Sequence, residues 1–498
     1  MRKPTAVPTT TERAFRINEE FFSCTNAKGT ILAGNSVFQR VSGYSEAELV
    51  GSPHNLIRHP DMPKSVFRLF WNTILAGEPI AALVKNLAKD GAYYWVVALV
   101  APTRTGFVSI RFKPSSPLLP KIVSLYEAMR TIERQCEERG EDANSVMDAS
   151  SAHLAGCLAS LGFPSYEAFM RGLLLRGEID ARDAALRREK LALIPPFPEG
   201  HRSSEVAGLL RDFSRAGQKD LTEVERLYTE MSELVELDRS LLEKSKEAVD
   251  LSEQFSLVTM NIEIQAWRCG DSGRGIPVVA GHLSETAQAI RLAVLRVQKK
   301  AEDISTLIGH ALFGVAWARL QLEMAIKHYH EVREESLAGE LKEGTPEFAT
   351  RVLLVGSLAE AARSTHQRTT VTLSQMEKAL VSMGEESETM RRFMVNLMVS
   401  KVVGLAEAAR LVGVDTLNAA FEDLKVRVDR IQASFGSLEL LIEKLLSHAQ
   451  AAPHLSLVLD HATGGLESNA EALERCNRKK PAPEAALAPV GDLAEAAA

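Results

Sequence analysis

A chain of 498 residues, 45% of them hydrophobic, is too long for one ordinary domain and has ample apolar material for a sizeable core. Its 58 Lys and Arg against 65 Asp and Glu leave a formal charge of −7, which argues against a nucleic-acid or anionic-membrane footprint. The five cysteines (Cys24, Cys136, Cys157, Cys269, Cys476) are scattered, without a Cys-x-x-Cys pair, so neither a disulfide framework nor a zinc site is expected and a reducing cytoplasm fits.

Met1-Arg2-Lys3-Pro4-Thr5 leads into polar residues, so no signal peptide is expected. From residue 14 to 114, short β-branched and aromatic runs (Thr30-Ile31-Leu32, Ala81 to Val84, Tyr93 to Val100, Phe107 to Phe112) alternate with the turn signals Lys28-Gly29 and Asp90-Gly91 and with short helical stretches. That pattern predicts an α+β domain. Only Thr103-Arg104-Thr105 separates Pro102 from Gly106, which predicts a tight hairpin between the last two strands.

Within this domain, Asn55-Leu56-Ile57-Arg58-His59-Pro60-Asp61-Met62-Pro63 concentrates Arg58, His59 and Asp61 in four positions of an otherwise apolar region. Around it stand Asn35-Ser36-Val37-Phe38, Ser42-Gly43-Tyr44, Phe70-Trp71, Val84-Lys85-Asn86 and Tyr93-Tyr94-Trp95-Val96. In order and spacing this set resembles the flavin-contacting PAS sensor domains of the aerotaxis-receptor type. The resemblance implies a PAS fold over residues 14–114 and flavin adenine dinucleotide (FAD) held by Asn35, Arg58, His59, Asp61, Trp71, Asn86 and Trp95. Arg58 offers a forked donor suited to phosphate, His59 and Asp61 orient polar groups, and the two Trp supply aromatic surface. Plainer readings stand beside these: a Trp in a small domain is more often core, a His before Pro is more often a satisfied turn residue, and Asn35 suits a helix cap. A haem reading is not favoured, since His59 matches the flavin-type segment and the domain's remaining His is His54.

Beyond Leu119 the sequence turns rich in Ala, Leu, Glu and Arg, which predicts a helical linker over residues 115–200, interrupted at Gly162-Phe163-Pro164 and ended by Pro195-Pro196-Phe197-Pro198-Glu199-Gly200. Residues 205–335 read as a long antiparallel hairpin. On the outgoing arm Val224, Tyr228, Met231, Val235, Leu242 and Val249 follow a 3.5-residue spacing, with Asp238 and Ser245 as polar interruptions. On the returning arm Leu283, Ala287, Ile290, Val294, Val297, Ala301, Ile304 and Ile308 alternate steps of four and three. Glycines at 270, 273 and 275 suit a reversal near residues 268–277, and Pro277 suits the first turn of the next helix. The longest apolar run, Ile308 to Leu320, is broken by Gly309, His310 and Arg319, so no membrane span is expected.

The stretch from Asn261 to Ala280 is similar to the signalling tip of methyl-accepting chemotaxis proteins. The likeness implies a partner surface at Asn261, Ile264, Gln265, Arg268, Gly273, Arg274, Gly275 and Val279, a chemotaxis histidine kinase and its coupling protein as partners, and a homodimer or membership of a receptor array. Gln265, Trp267, Ile276 and Pro277 depart from the family's usual Glu, Ala, Phe and Ala. Methylation segments rich in Glu and Gln are not evident on the arms. Residues 345–452 form a further long-helical unit in which Leu405-Ala406-Glu407-Ala408-Ala409-Arg410 faintly echoes the tip; whether it is a second hairpin stays open at this point. Residues 477–498, with Pro481, Pro483 and Pro489 among alanines, are expected to be disordered.

The expected function is a soluble cytoplasmic transducer that senses redox or energy state through a PAS-bound flavin and relays it to a histidine kinase complex. No catalysis is implied: the chain has no Walker-type loop, no kinase His-box and no nucleophile elbow. The alternative is a scaffold with an empty PAS domain and a degenerate tip.

Overall fold

The computed structural model describes residues 6–194, 205–268, 275–342, 344–410, 415–449 and 452–478. These divide into two compact units. One comprises the described residues of Met1–Tyr228, Leu312–Thr369 and Leu457–Ala498; the other comprises Thr229–Ala311 and Thr370–Ser456.

The first unit holds a five-stranded antiparallel sheet of order β2-β1-β5-β4-β3, built from β1 (Glu20–Asn26), β2 (Ile31–Gly34), β3 (Ile80–Leu87), β4 (Tyr93–Pro102) and β5 (Gly106–Phe112). Between β2 and β3 come α1 (Ser36–Ser42), α2 (Glu46–Leu49), a short 3-10 turn (His54–Ile57) and α3 (Lys64–Leu75). Local chemistry sets these boundaries. Asn35 caps α1, its side chain accepting from the Phe38 amide, and Gly43 ends the helix at φ 75°, a conformation glycine adopts without strain. The amides of Lys64 and Ser65, at the start of α3, donate to the buried Glu133 carboxylate at 3.0 Å. The predicted tight turn is present, closed by Thr103 N donating to Gly106 O at 2.8 Å.

Helices α4 (Leu118–Glu138), α5 (Ala143–Ser160), α6 (Tyr166–Phe169, running into a π-helical turn Met170–Leu174) and α7 (Leu175–Glu189) follow the sheet. They cover the edge strand β3: the Ala81 amide points at Met170 Sδ, and Tyr166 Oη donates to Ala81 O at 2.9 Å. Four long helices come next, α8 (Glu205–Arg268), α9 (Ile276–Leu337), α10 (Pro346–Ala408) and α11 (Asp415–Ala449), and then α12 (Ala452–Arg478). Asn477 and Arg478 therefore end a helix, and the rest of the expected disordered tail lies outside the described residues.

In the second unit α8 to α11 form a four-helix bundle of two hairpins. Arg291 pairs with Glu253 across the first hairpin, and Arg391 with Glu439 and Lys401 with Asp429 across the second. Arg296 and Lys300 reach from α9 to Glu386 on α10. Gly275, just before α9, and Glu407, near the end of α10, approach each other. Helices α10 and α11 thus pair with each other and pack beside α8 and α9.

All eight seam residues expected on α9, from Leu283 to Ile308, are buried. On α8 the spacing holds but the stripe is shifted. The seam runs through Met231, Leu234, Asp238, Leu241, Ser245, Ala248, Ser252, Phe255, Thr259 and Ile262, while Val235, Leu242 and Val249 flank it half-buried. Asp238 and Ser245 therefore lie inside the seam and do not interrupt it. A four-helix bundle buries a broader stripe than a two-helix seam, and Asp238 is accommodated because Ser305 Oγ on α9 donates to it at 2.7 Å.

Candidate functional site

Strand register assigns the two faces of the sheet. Phe21 pairs with Arg111, Ser23 with Ser109, Ala98 with Arg111, Val84 with Val96 and Asn86 with Tyr94, so these residues share one face. That inner face is covered by α1, the 54–57 turn and α3. The Phe38 ring stacks on Phe21 (5.9 Å, 1° between planes) and on His54 (6.2 Å, 10°), and Trp71 meets Phe107 edge-on at 5.7 Å.

A cation lies among these rings. Arg111 is 3% exposed, donates through Nη1 to Ser23 Oγ at 3.1 Å, and places Nη2 2.6 Å from His54 Nε2. Because a guanidinium only donates, His54 Nε2 is the acceptor and its proton sits on Nδ1. Burial, reinforced by Arg111, pushes the His54 pKa well below its usual value, and burial pulls Arg111 down to about 10. Among the described residues no carboxylate pairs with Arg111. On the same face Tyr94 Oη, Ser109 Oγ and Asn86 Nδ2 are buried without a hydrogen-bond partner. Unsatisfied buried polar atoms are costly, and these three, spread along one face of the sheet, call for polar ligands or ordered water.

The seven residues expected from the sequence are divided by this geometry. Arg58 bridges Asn86 along the edge of β3, which puts the two on the inner side together, with the Arg58 guanidinium 4.0 Å above the Phe67 ring. Trp71 stands at the far end of the same face, half-buried over Phe107. Asn35 is spent on structure: Oδ1 accepts from the Phe22 and Phe38 amides and Nδ2 donates to Glu20 O.

The other three are on the opposite side. His59 meets the Tyr93 ring, Asp61 pairs with Lys85 at 2.7 Å, and Trp95 stacks on Tyr126 of α4 at 6.4 Å. The pleat is the reason: with Asn86 and Tyr94 facing in, Lys85, Tyr93 and Trp95 must face out. Of the seven residues expected at the flavin, His59, Asp61 and Trp95 therefore lie apart from Asn86 and Tyr94. His59 Nε2 is nevertheless buried without a partner. Arg111 and His54 were missed as a pair. The available signal was a lone cation in the apolar run Phe107 to Phe112.

The outer face carries a second charged cluster. Arg182 of α7, with no exposed side-chain surface, pairs with Glu20 of β1 and with Glu323 of α9, the latter at 2.6 Å; both carboxylates are likewise unexposed. Lys327 adds a 3.2 Å contact to Glu20, and Arg319 joins Glu323 (2.8 Å) to Asp183 (2.7 Å). Burial raises the Glu20 pKa despite Lys327 and Arg182, whereas Glu323, although buried, is held at about 2 by Arg182, Arg319 and Lys327. Beside the cluster the Phe22 ring meets His328 of α9 at 5.2 Å, and Arg104 in the tight turn pairs with Glu360 of α10 at 3.0 Å. The sheet is thereby joined to α7, α9 and α10.

Of the expected tip residues, Asn261, Ile264, Arg268 and Gly275 are exposed, Gln265 and Val279 are half-buried, and Gly273 and Arg274 lie outside the described residues. Leu257, Met260, Ile264 and Trp267 form an exposed apolar stripe ending in an indole 72% exposed. Among the described residues no helix is long and apolar enough to cross a membrane, and no cluster of His, Cys, Asp and Glu is placed to hold a metal ion.

Comparison with known proteins agrees with this architecture. Residues 31–106 match the PAS fold family. The chain is 40% identical over 112 residues to the aerotaxis receptor of Escherichia coli, covering 22% of each protein. It is 30% identical over 115 residues to the methyl-accepting chemotaxis protein PcaY of Pseudomonas putida, covering 22% of this chain and 20% of that one. With the biofilm dispersion protein BdlA of Pseudomonas aeruginosa it shares 21% identity over 355 residues, 57% of this chain and 83% of that protein. The match to the aerotaxis receptor thus spans about a fifth of that relative's length. The five-stranded N-terminal domain is a PAS fold, in a chain similar to aerotaxis and methyl-accepting chemotaxis receptors.

Proposed function

We propose that this protein is a cytoplasmic signal transducer whose PAS domain senses redox or energy state through a bound flavin and whose helical hairpins pass that state to a chemotaxis-type histidine kinase and its coupling protein. The observation that carries the reading is the buried chain Glu20–Arg182–Glu323, which joins the first strand of the sheet to α9 without an exposed intermediary. A shift in sheet packing then alters the partners of a charge that has no water to fall back on, and α9 must respond.

Flavin fits the donor set. Its ring needs an apolar slot with a few fixed polar groups at one edge, and the inner face offers Phe21, Phe38 and Trp71 beside the unpartnered Asn86 Nδ2, Tyr94 Oη and Ser109 Oγ. Arg58, a forked donor whose guanidinium lies over the Phe67 ring, suits the diphosphate. When bound, flavin supplies a reversible change of charge and hydrogen bonding on reduction, the signal such a domain would read. The tip surface, from Asn261 and Ile264 through Trp267 to Val279, is the proposed kinase-facing end, and the two hairpins of one chain stand in for a receptor dimer.

The test is a visible absorbance spectrum of the full chain purified without added cofactor, repeated for Arg58→Ala and Trp71→Ala. Oxidised-flavin bands in the wild type that are lost in both variants support the sensor. A colourless, folded wild type removes it and leaves a scaffold, a reading favoured by the structural duties of Asn35 and Asp61 and by the exposed indole of Trp267.

A further inference from the structure

The least explained group in the PAS interior is Arg111. A guanidinium 3% exposed is expensive to bury, and the usual compensation is a carboxylate. Arg111 has instead a neutral imidazole and a hydroxyl, His54 Nε2 at 2.6 Å and Ser23 Oγ at 3.1 Å, with its guanidinium carbon 5.5 Å from the centre of the Phe38 ring and 5.9 Å from that of Phe21. These partners orient the cation without cancelling its charge. Two further observations point the same way. Tyr94 Oη and Ser109 Oγ, on the same face, are buried without partners. The ring that seats Arg111 is itself held in the 54–57 turn and stacked on Phe38, so the cation's position is fixed from two sides.

We infer that Arg111, seated by His54 and Ser23, is the charge-recognition residue of the PAS interior and takes the acceptor edge of a planar ring that becomes more negative on reduction. The inference rests on the flavin reading above and adds to it a residue and a direction. An uncancelled buried cation favours the more negative form of its ligand, so Arg111 biases the site toward the reduced state and raises the midpoint potential. In the experiment the reduction is made by dithionite, which delivers two electrons while one proton comes from solvent, leaving one added negative charge on the ring.

The full chain is loaded with FAD as wild type, Arg111→Met, Arg111→Lys and Ser23→Ala, with circular dichroism melts to verify folding. FAD affinity is measured by fluorescence quenching and the midpoint by anaerobic dithionite titration. Arg111→Met is expected to bind FAD at least tenfold more weakly and to show a lower midpoint. Arg111→Lys, which keeps the charge but loses the fork, should hold its midpoint nearer the wild-type value, and Ser23→Ala should move both quantities less. Folded Arg111→Met with wild-type affinity and midpoint overturns the role of Arg111 while leaving the flavin reading intact. Should Arg111→Met not fold, a folded Arg111→Lys whose midpoint drops well below wild type overturns the charge argument, and one that holds it supports the argument. A folded wild type that takes up no FAD overturns the flavin reading, and the inference falls with it.

Discussion

Replacing Arg182 by Met probes the link between sheet and helices directly. Arg182 fills a fully buried position between Glu20 and Glu323, and its guanidinium carbon lies 5.0 Å from the centre of the Phe112 ring. Methionine fills much of the volume but leaves two unexposed carboxylates sharing the two remaining cations, Lys327 at 3.2 Å from Glu20 and Arg319 at 2.8 Å from Glu323. Removing one partner of a buried ion pair costs about 3–5 kcal/mol. Since each carboxylate keeps one cation, the lower end applies, about 3 kcal/mol, or roughly a hundredfold in the folding equilibrium of this unit.

Urea denaturation followed by fluorescence is suited to the measurement, because Trp71, Trp95 and Trp317 all lie in the first unit. The decisive comparison is the double variant Arg182→Met with Glu20→Gln. Neutralising one stranded carboxylate should recover more than about 1 kcal/mol in the Arg182→Met background, whereas Glu20→Gln alone should destabilise the wild type. Additivity of the two substitutions within about 0.5 kcal/mol would mean that the charges are not coupled, and the proposed route from β1 to α9 would lose its basis.

Asp238→Asn tests the polar seam of the second unit. Burial raises Asp238 from its ordinary 3.8 to about 6. Its stabilising contribution is thus present in full below pH 3.8, declines as pH rises toward 6 and is gone above it. The variant should therefore melt higher at pH 8, by up to about 3 kcal/mol of added stability, and no higher at pH 4; an equal shift at both pH values would contradict the assignment. Gly106→Ala should cost about 2–4 kcal/mol, because a Cβ there would sit 1.9 Å from Thr25 O, a backbone atom that cannot move aside; an unchanged melting temperature would refute the close approach. Trp267→Ala should leave the melt unchanged, its side chain being 72% exposed, and should alter the coupling of a reconstituted chemotaxis kinase; equal kinase output would remove Trp267 from the partner surface.

The sequence by itself determined the local structure. Apolar alternation and turn residues marked the strands, and the four-and-three spacing from Leu283 to Ile308 marked the buried stripe of α9, because strand and helix periods are local properties that side-chain polarity records directly. It also carried the PAS resemblance, whose densest segment, Asn55 to Pro63, is contiguous. Tertiary structure alone decided which residues meet. Whether Trp95 faces the interior or α4 depends on strand register; a one-residue slip would exchange it with Tyr94. The Arg111–His54 contact joins positions 57 residues apart, and Arg182 reaches Glu20 across 162 and Glu323 across 141. Such pairs leave no periodic trace, because their charges are compensated in space and not along the chain. The second hairpin was hidden for a related reason: Ala, Glu and Arg suit any helix, and only packing of α10 and α11 against α8 and α9 distinguishes a bundle from an isolated coil.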